Sequence, residues 1–328
     1  MIIVRAPLRV SLCGGGTDLP SYFEQNNGFV VSAAINKFIT IVINENLKNR
    51  FIIKYSENEN VKKIANIKHS IIRECLKLLN IKQGMEISSF SDVPHGTGLG
   101  SSGSFTICLL KGLFFFKKIK ISNKELALKA FHVERNILKQ PVGYQDQLTA
   151  ACGGLLLQKY SKNKIYVKNL KINKTFKKNF DSRLILIYSG ITRFSKKILK
   201  RQDSLSKQNN KKIVSSLDEI KKNSYEIYEN SIKNNLKDYG KYLDLHWNIK
   251  KKIDKKISNK KIEQTIKICK KNNVDGCRVV GAGAGGYILA HSKNFKKLKN
   301  KLIKNNILFL PIKIEEKGVS IIDSYNKI

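Results

Sequence analysis

The sequence is poor in arginine, tryptophan, proline and acid. Of its 328 residues nine are arginine, five proline and one tryptophan, and Asp plus Glu number 25 against 62 Lys plus Arg. Its six cysteines, Cys13, Cys75, Cys108, Cys152, Cys269 and Cys277, have no C-x-x-C or Cys/His spacing, so no zinc site or disulfide framework is legible. Several sit in apolar segments, where a thiol behaves as a small hydrophobe. No run approaches the roughly 18 to 20 apolar residues that a membrane helix needs. The opening Met-Ile-Ile-Val-Arg-Ala-Pro also lacks the apolar stretch of a signal peptide. A soluble cytoplasmic protein without a membrane partner is expected.

The formal charge of +37 would draw anions of any kind. Arginine, the side chain best suited to bidentate phosphate and base contacts, is the scarce cation, and the lysines are scattered in pairs among many Asn and Ile. That pattern fits a lysine-rich composition better than a nucleic-acid interface. Small anionic substrates are the expected partners, with a homo-oligomer possible. With 41% hydrophobic residues the chain can build either one large core or two, and two domains, 1–180 and 181–328, are expected.

Residues 2–13 are largely apolar and strand-like, stop at Gly14-Gly15-Gly16, and are followed by strand-like runs within 29–43. A lysine-rich stretch leads to a helix at 70–79 and a strand at 85–90. Next comes Pro94-His-Gly96-Thr-Gly98-Leu99-Gly100-Ser101-Ser102-Gly103, which opens an almost wholly apolar helix at 104–116. Glycines allow close backbone approach, and a helix's first amides and dipole favour an anion, so this run reads as a phosphate cradle. Ser101 and Ser102 offer hydroxyls to a metal or phosphate.

Ser122-Asn-Lys-Glu125 is a capping box, predicting a helix from there to about Leu138. Its apolar face, Leu126, Ala127, Ala130, Phe131, Ile137 and Leu138, is interrupted by Glu134. A carboxylate in such a stripe needs a partner, either a basic side chain or Mg²⁺. Asp146, entering a short helix after Pro141, either stabilises that helix's N-terminus or acts as general base. Asp18 is either a turn residue or part of a site. Strands follow at 155–160, 164–170 and 183–189, then charged helices over 194–271 with a break near 202–211. Strand, glycine loop and strand span 277–290, and a helix at 294–304 with strands near 307–314 and 318–322 completes a second α+β unit.

The windows 98–103 and 281–286 both match G-x-G-x-x-G, yet neither sits as a dinucleotide fingerprint does. The second runs into a strand instead of a helix, and the first lacks the acidic residue about 20 positions on. No Gly-Lys-Ser/Thr ends either loop, so there is no Walker A motif. A phosphate loop, a lone carboxylate on an apolar face and a loop aspartate are parts that phosphoryl transfer requires, since its catalysis is mostly positioning and charge neutralisation.

With Ala6-Pro-Leu-Arg9-Val-Ser-Leu-Cys-Gly-Gly-Gly16-Thr17-Asp18, Pro94 to Ser104, and Val279 to Gly286 in that order, the sequence resembles the GHMP small-molecule kinase superfamily. The resemblance covers nearly the whole chain. It implies an α+β fold of two domains with mixed sheets and helices, the first binding ATP and the active site in the inter-domain cleft. Gly-Gly-Gly-Thr-Asp, Gly143-Tyr-Gln-Asp-Gln and Tyr188-Ser-Gly-Ile-Thr192-Arg193 look most like the branch that phosphorylates D-glycero-D-manno-heptose 7-phosphate on its anomeric hydroxyl. Gly15 and Gly16 stand where galactokinases carry a Glu-His pair, and Leu8 where many relatives have glycine.

Carried over, the resemblance implies ATP phosphates on Pro94, Gly96, Gly98, Leu99, Gly100, Ser101, Ser102 and Gly103, and Mg²⁺ on Ser102 and Glu134. Asp146 would be the base, Arg9 would offset charge on the transferring group, and Gly16, Thr17 and Asp18 would meet the sugar. Gly283 and Gly285 of the third motif are also expected on the substrate side. Thr192 and Arg193, a hydroxyl and a cation after a strand, are candidates for the substrate's distal phosphate. Rival readings are another sugar 1-kinase of fucose or galactose type, a basic nucleic-acid-binding protein, and an NAD-dependent oxidoreductase.

Overall fold

The computed structural model describes residues 1–192 and 196–324. In chain order the elements are β1 (Ile2–Cys13), α1 (Pro20–Asn26), β2 (Gly28–Glu45), β3 (Phe51–Lys54), β4 (Asn58–Val61), α2 (Ser70–Leu78) and β5 (Met85–Ser91). Then come α3 (Ser101–Phe116), α4 (Asn123–Phe131), α5 (Gln145–Cys152), β6 (Leu155–Ser161), β7 (Lys164–Asn169), α6 (Lys174–Arg183) and β8 (Leu184–Tyr188). The remainder is α7 (Lys196–Lys207), α8 (Lys211–Ile227), α9 (Tyr239–Ile253), α10 (Lys260–Lys271), β9 (Gly276–Val279), β10 (Tyr287–His291), α11 (Phe295–Lys304), β11 (Phe309–Pro311) and β12 (Ser320–Ser324).

Two sheets organise the chain, one of eight strands and one of four, in the order β11-β8-β10-β9. The larger runs β12-β1-β2-β5-β3-β4, with β6 and β7 continuing from the other half of β2. β1 and β2 are antiparallel and buried along most of their length, so their sequences read as near-continuous apolar runs instead of a clean alternation. Pro7 has no amide to give the ladder, and the β1–β2 register shifts between Pro7 and Leu8. At that irregularity the Arg9 amide donates to Leu99 O at 3.0 Å and the Pro7 carbonyl accepts from Ser104 Oγ at 2.8 Å. The bulge in β1 is thereby stitched to the glycine loop and the start of α3.

α3 is buried nearly all round and packs on β1, β2, α2, α4 and α5, which explains its lack of a polar face. The smaller sheet carries α9 against β9 and β10 and closes onto β1 through Tyr239 Oη donating to Leu12 O at 2.7 Å. Further ties across the two bodies are Tyr22 Oη to Asp218 Oδ1 at 2.6 Å and the Arg135–Asp203 ion pair at 2.7 Å.

Several expectations are corrected. The helix begun by the Ser122 capping box is α-helical only to Phe131. His132–Ile137 is a π-turn, with Leu138 N bonding Val133 O five residues back at 3.0 Å. α1, α6 and the β3–β4 hairpin were not anticipated. The helical break expected at 202–211 shrinks to the short link between α7 and α8. β12, from the end of the chain, pairs with β1 in the first sheet.

Candidate active site

The loop before α3 forms its cradle from the backbone. Gly100, at φ +76°, is the N-cap of α3, and the amides that open the helix have no intrahelical acceptor. They border a cavity of about 370 Å³, the range of small-ligand pockets, lined by Gly96, Gly98, Gly100, Ser101 and Ser102, with His69 and Ile71 at the head of α2. The other loop residues serve elsewhere. The Pro94 ring is exposed and its carbonyl accepts from Thr97 Oγ1, while the Leu99 side chain is in the core. Gly103 is buried on the side of α3 facing α5, where a Cβ would lie 2.7 Å from Asp146 Cβ. Its role is to let the two helices approach and so set Asp146.

Glu134 is fully buried, its Oε2 accepting from Ser102 Oγ at 2.7 Å and its Oε1 from Gln147 Nε2 at 3.0 Å. Burial pushes its carboxyl up from the ordinary value, against these two hydrogen bonds. Of the two alternatives read from sequence, a basic partner is not observed: Glu134 is in none of the ion pairs among the described residues. A buried carboxylate held by neutral donors, beside a serine hydroxyl and the phosphate cradle, suits Mg²⁺, which takes one or two carboxylates and completes its shell with water and phosphate oxygens.

Arg9 and Asp146 face each other where α5 begins. Arg9 Nε and Nη2 both lie 2.7 Å from Asp146 Oδ1, and Nη1 donates to Gly98 O at 2.7 Å. Both side chains line the cavity at the phosphate cradle and also a second, narrower cleft. Asp18 and Gly16 belong to the second. Asp18 is buried, and its oxygens accept from the amides of Gly16 and Gln145 at 3.1 Å each. Burial, then the nearby Asp146, raises its carboxyl. The two glycine loops meet at this point: Gly98 has φ +83°, and a Cβ there would sit 2.8 Å from Val280 O.

Other expected substrate residues turn away from the cleft. Thr17 is fully buried, its hydroxyl donating to Gly14 O at 2.8 Å and receiving the Phe29 amide at 3.1 Å, so it braces its own loop. Gly283 and Gly285 are buried behind Gly281 and Ala282, which face the cavities instead, and Gly283 abuts Ile257. Thr192 is exposed and lines neither cavity, while Arg193 lies outside the described residues.

Three polar residues of the second cleft escaped the sequence reading: Gln202 on α7, Lys250 on α9 and Arg278 on β9. Lys250 is hidden in Lys250-Lys251-Lys252, yet it shares the helical stripe of Leu243, His246, Trp247 and Ile253. Arg278 is an arginine inside an apolar strand, a signal comparable with Glu134. A larger cavity of about 840 Å³, lined by Met1, Ile43, Leu47, Phe114 and Ile119 together with Glu45, Lys111, Lys118 and Lys120, shares no residue with the other two.

Comparison with known proteins places this fold among small-molecule kinases. Residues 61–154 match the family model described as GHMP kinases N terminal domain. D-glycero-alpha-D-manno-heptose 7-phosphate kinase of Campylobacter jejuni is 27% identical over 88% of each chain. In fold, the chain is similar to a D-glycero-D-manno-heptose 1-phosphate kinase of Bacteroides thetaiotaomicron, with TM-score 0.81, 20% identity, and 99% and 100% of the two chains covered. It is also similar to Lactococcus lactis galactokinase complexed with galactose, with TM-score 0.77, 15% identity, and 97% and 94% covered. Residues 61–154 thus carry the match to the GHMP kinase N-terminal domain, the whole chain is similar in fold to kinases of that kind, and the protein is a phosphotransferase acting on a sugar hydroxyl.

Proposed function

We propose that the protein transfers the γ-phosphate of ATP to the anomeric hydroxyl of D-glycero-D-manno-heptose 7-phosphate, giving the 1,7-bisphosphate. The observation that carries this reading is the Arg9–Asp146 pair, which walls both the cavity at the phosphate cradle and the cleft beside Asp18. A donor in the first and an acceptor in the second meet at that pair. The choice of acceptor is supported by the Campylobacter relative's name and by Gly15 and Gly16, whose missing side chains leave the cleft open beside Asp18.

In this mechanism the amides opening α3 and the loop from Gly96 to Gly100 hold the terminal phosphates of ATP. Ser102 and Glu134 would hold Mg²⁺, which when bound supplies positive charge against the triphosphate. The acceptor oxygen forms a bond to the γ-phosphorus as the bond to the β-phosphate oxygen breaks and ADP departs. Asp146 accepts the hydroxyl proton, Arg9 offsets charge on the transferring group, and Asp18 accepts a hydrogen bond from another sugar hydroxyl.

Phosphorus NMR and mass spectrometry of a reaction containing heptose 7-phosphate, ATP and Mg²⁺ test it. One ADP should appear per sugar bisphosphate, with the new phosphorus signal coupled to the anomeric proton. Turnover of free fucose or galactose, with none of the phosphorylated heptose, would overturn the assignment.

A further inference from the structure

Lys250 and Arg278 present an imbalance of charge. They are 6% and 2% exposed, and neither makes an ion pair with Asp or Glu among the described residues. Lys250 Nζ donates to the Gly281 carbonyl, and Arg278 donates to the carbonyls of Ser11 and Val279. Two buried cations without a counter-charge are costly, and a neutral amide could make the same carbonyl contacts without that cost. The repulsion is expressed on Lys250, whose ammonium is pushed down to about 7 by burial and then by Arg278 and Arg9.

The same wall holds unused donors. Gln202 is 7% exposed, and its Nε2, like Nε of Arg278, has no hydrogen-bond partner among the described residues. Among the described residues, Gln145 Oε1 is the one buried acceptor of this cleft left in that state. Lys250, Arg278 and Gln202 all line the cleft of Asp18 and none lines the cavity at the phosphate cradle. Arg9 lines both, so the cation serving the transferring group is separate from these three.

We infer that Lys250, Arg278 and Gln202 form a phosphate-binding subsite within the acceptor cleft, which grips the phosphate the acceptor already carries. The inference rests on the proposed division of the two cavities between nucleotide and acceptor. A phosphate dianion matches two cations and an amide donor, and its binding removes the charge imbalance. It also assigns to these residues the task that the sequence suggested for Thr192 and Arg193.

Lys250→Gln is the test, with Lys250→Arg as the charge-keeping control and thermal melting to show that each variant folds. Inorganic phosphate titrated into the nucleotide-free protein should bind wild type and lose about tenfold or more in affinity in Lys250→Gln, the weight of a charged hydrogen bond. In kinetics, KM for heptose 7-phosphate should rise roughly 10- to 100-fold, at least about tenfold more than for unphosphorylated heptose, with Lys250→Arg recovering most of it. A fall in kcat alone, an equal KM rise on both sugars, or unchanged phosphate binding would overturn the subsite. Phosphate binding that depends on Lys250 in a wild type inert toward heptose 7-phosphate would instead overturn the named acceptor and leave the subsite standing.

Discussion

Lys250 shows how much a single side chain's surroundings decide. Arg9 from β1, Arg278 from β9 and His246 one turn back on α9 face it, with Asp18 across the cleft, and burial with the two arginines holds its ammonium down to about 7. A lysine in an unfolded chain titrates near 10.4. Between these values the unfolded state binds more protons than the folded one, so stability rises with pH over that interval and the penalty is fully present below about 7. Urea midpoints at pH 7 and pH 9 should therefore rise more in wild type than in Lys250→Met. Equal changes would show that Lys250 is charged without cost. Glu134 was legible because a carboxylate breaks an apolar stripe, whereas Lys250 sat in a run of three lysines whose helical phase had to be noticed first. Thr17 misled because a hydroxyl in a motif says nothing of which way it points, and here it points at Gly14 and Phe29.

Among the elements, α3 and α5 carry the site, and Gly103 sets their separation. Adding a methyl there places carbon 2.7 Å from Asp146 Cβ, inside van der Waals contact, so α5 must shift. Gly103→Ala is expected to cost about 1–3 kcal/mol in urea denaturation, as overpacking does, and to lower kcat by displacing Asp146. Full activity with unchanged stability would show that the helices have slack. The apolar α3, the flanking strands and the glycine loops were readable because periodicity and punctuation agree there. α6 was not, since only Phe176 and Phe180 of its ten residues are buried and the rest is polar. The β3–β4 hairpin, four residues a strand in a lysine-rich region, lacked a pattern long enough to read. The π-turn at His132–Ile137 lay beyond a period argument, because the capping box fixes where a helix starts and not where its hydrogen bonding widens.

Across the whole molecule, the two glycine loops meet where Gly98 packs against Val280 and Gly281, and Arg9 and Asp146 stand between two cavities. The three motifs, in order, carried the resemblance that implied the fold, and their glycines mark backbone that something approaches closely. The return of β12 to β1, and the meeting of Lys250 on α9 with Arg278 on β9 in one cleft, depend on contacts far apart in sequence, although each cation taken alone interrupts an apolar pattern. The central claim is that phosphoryl transfer happens at the Arg9–Asp146 pair. It is tested most directly by Asp146→Asn, comparing kcat with the dissociation constants for ATP and for heptose 7-phosphate measured by titration. A fall in kcat of about 10²-fold or more, with both ligands still bound within about twofold of wild type, is the predicted result. A variant that turns over at the wild-type rate would contradict it.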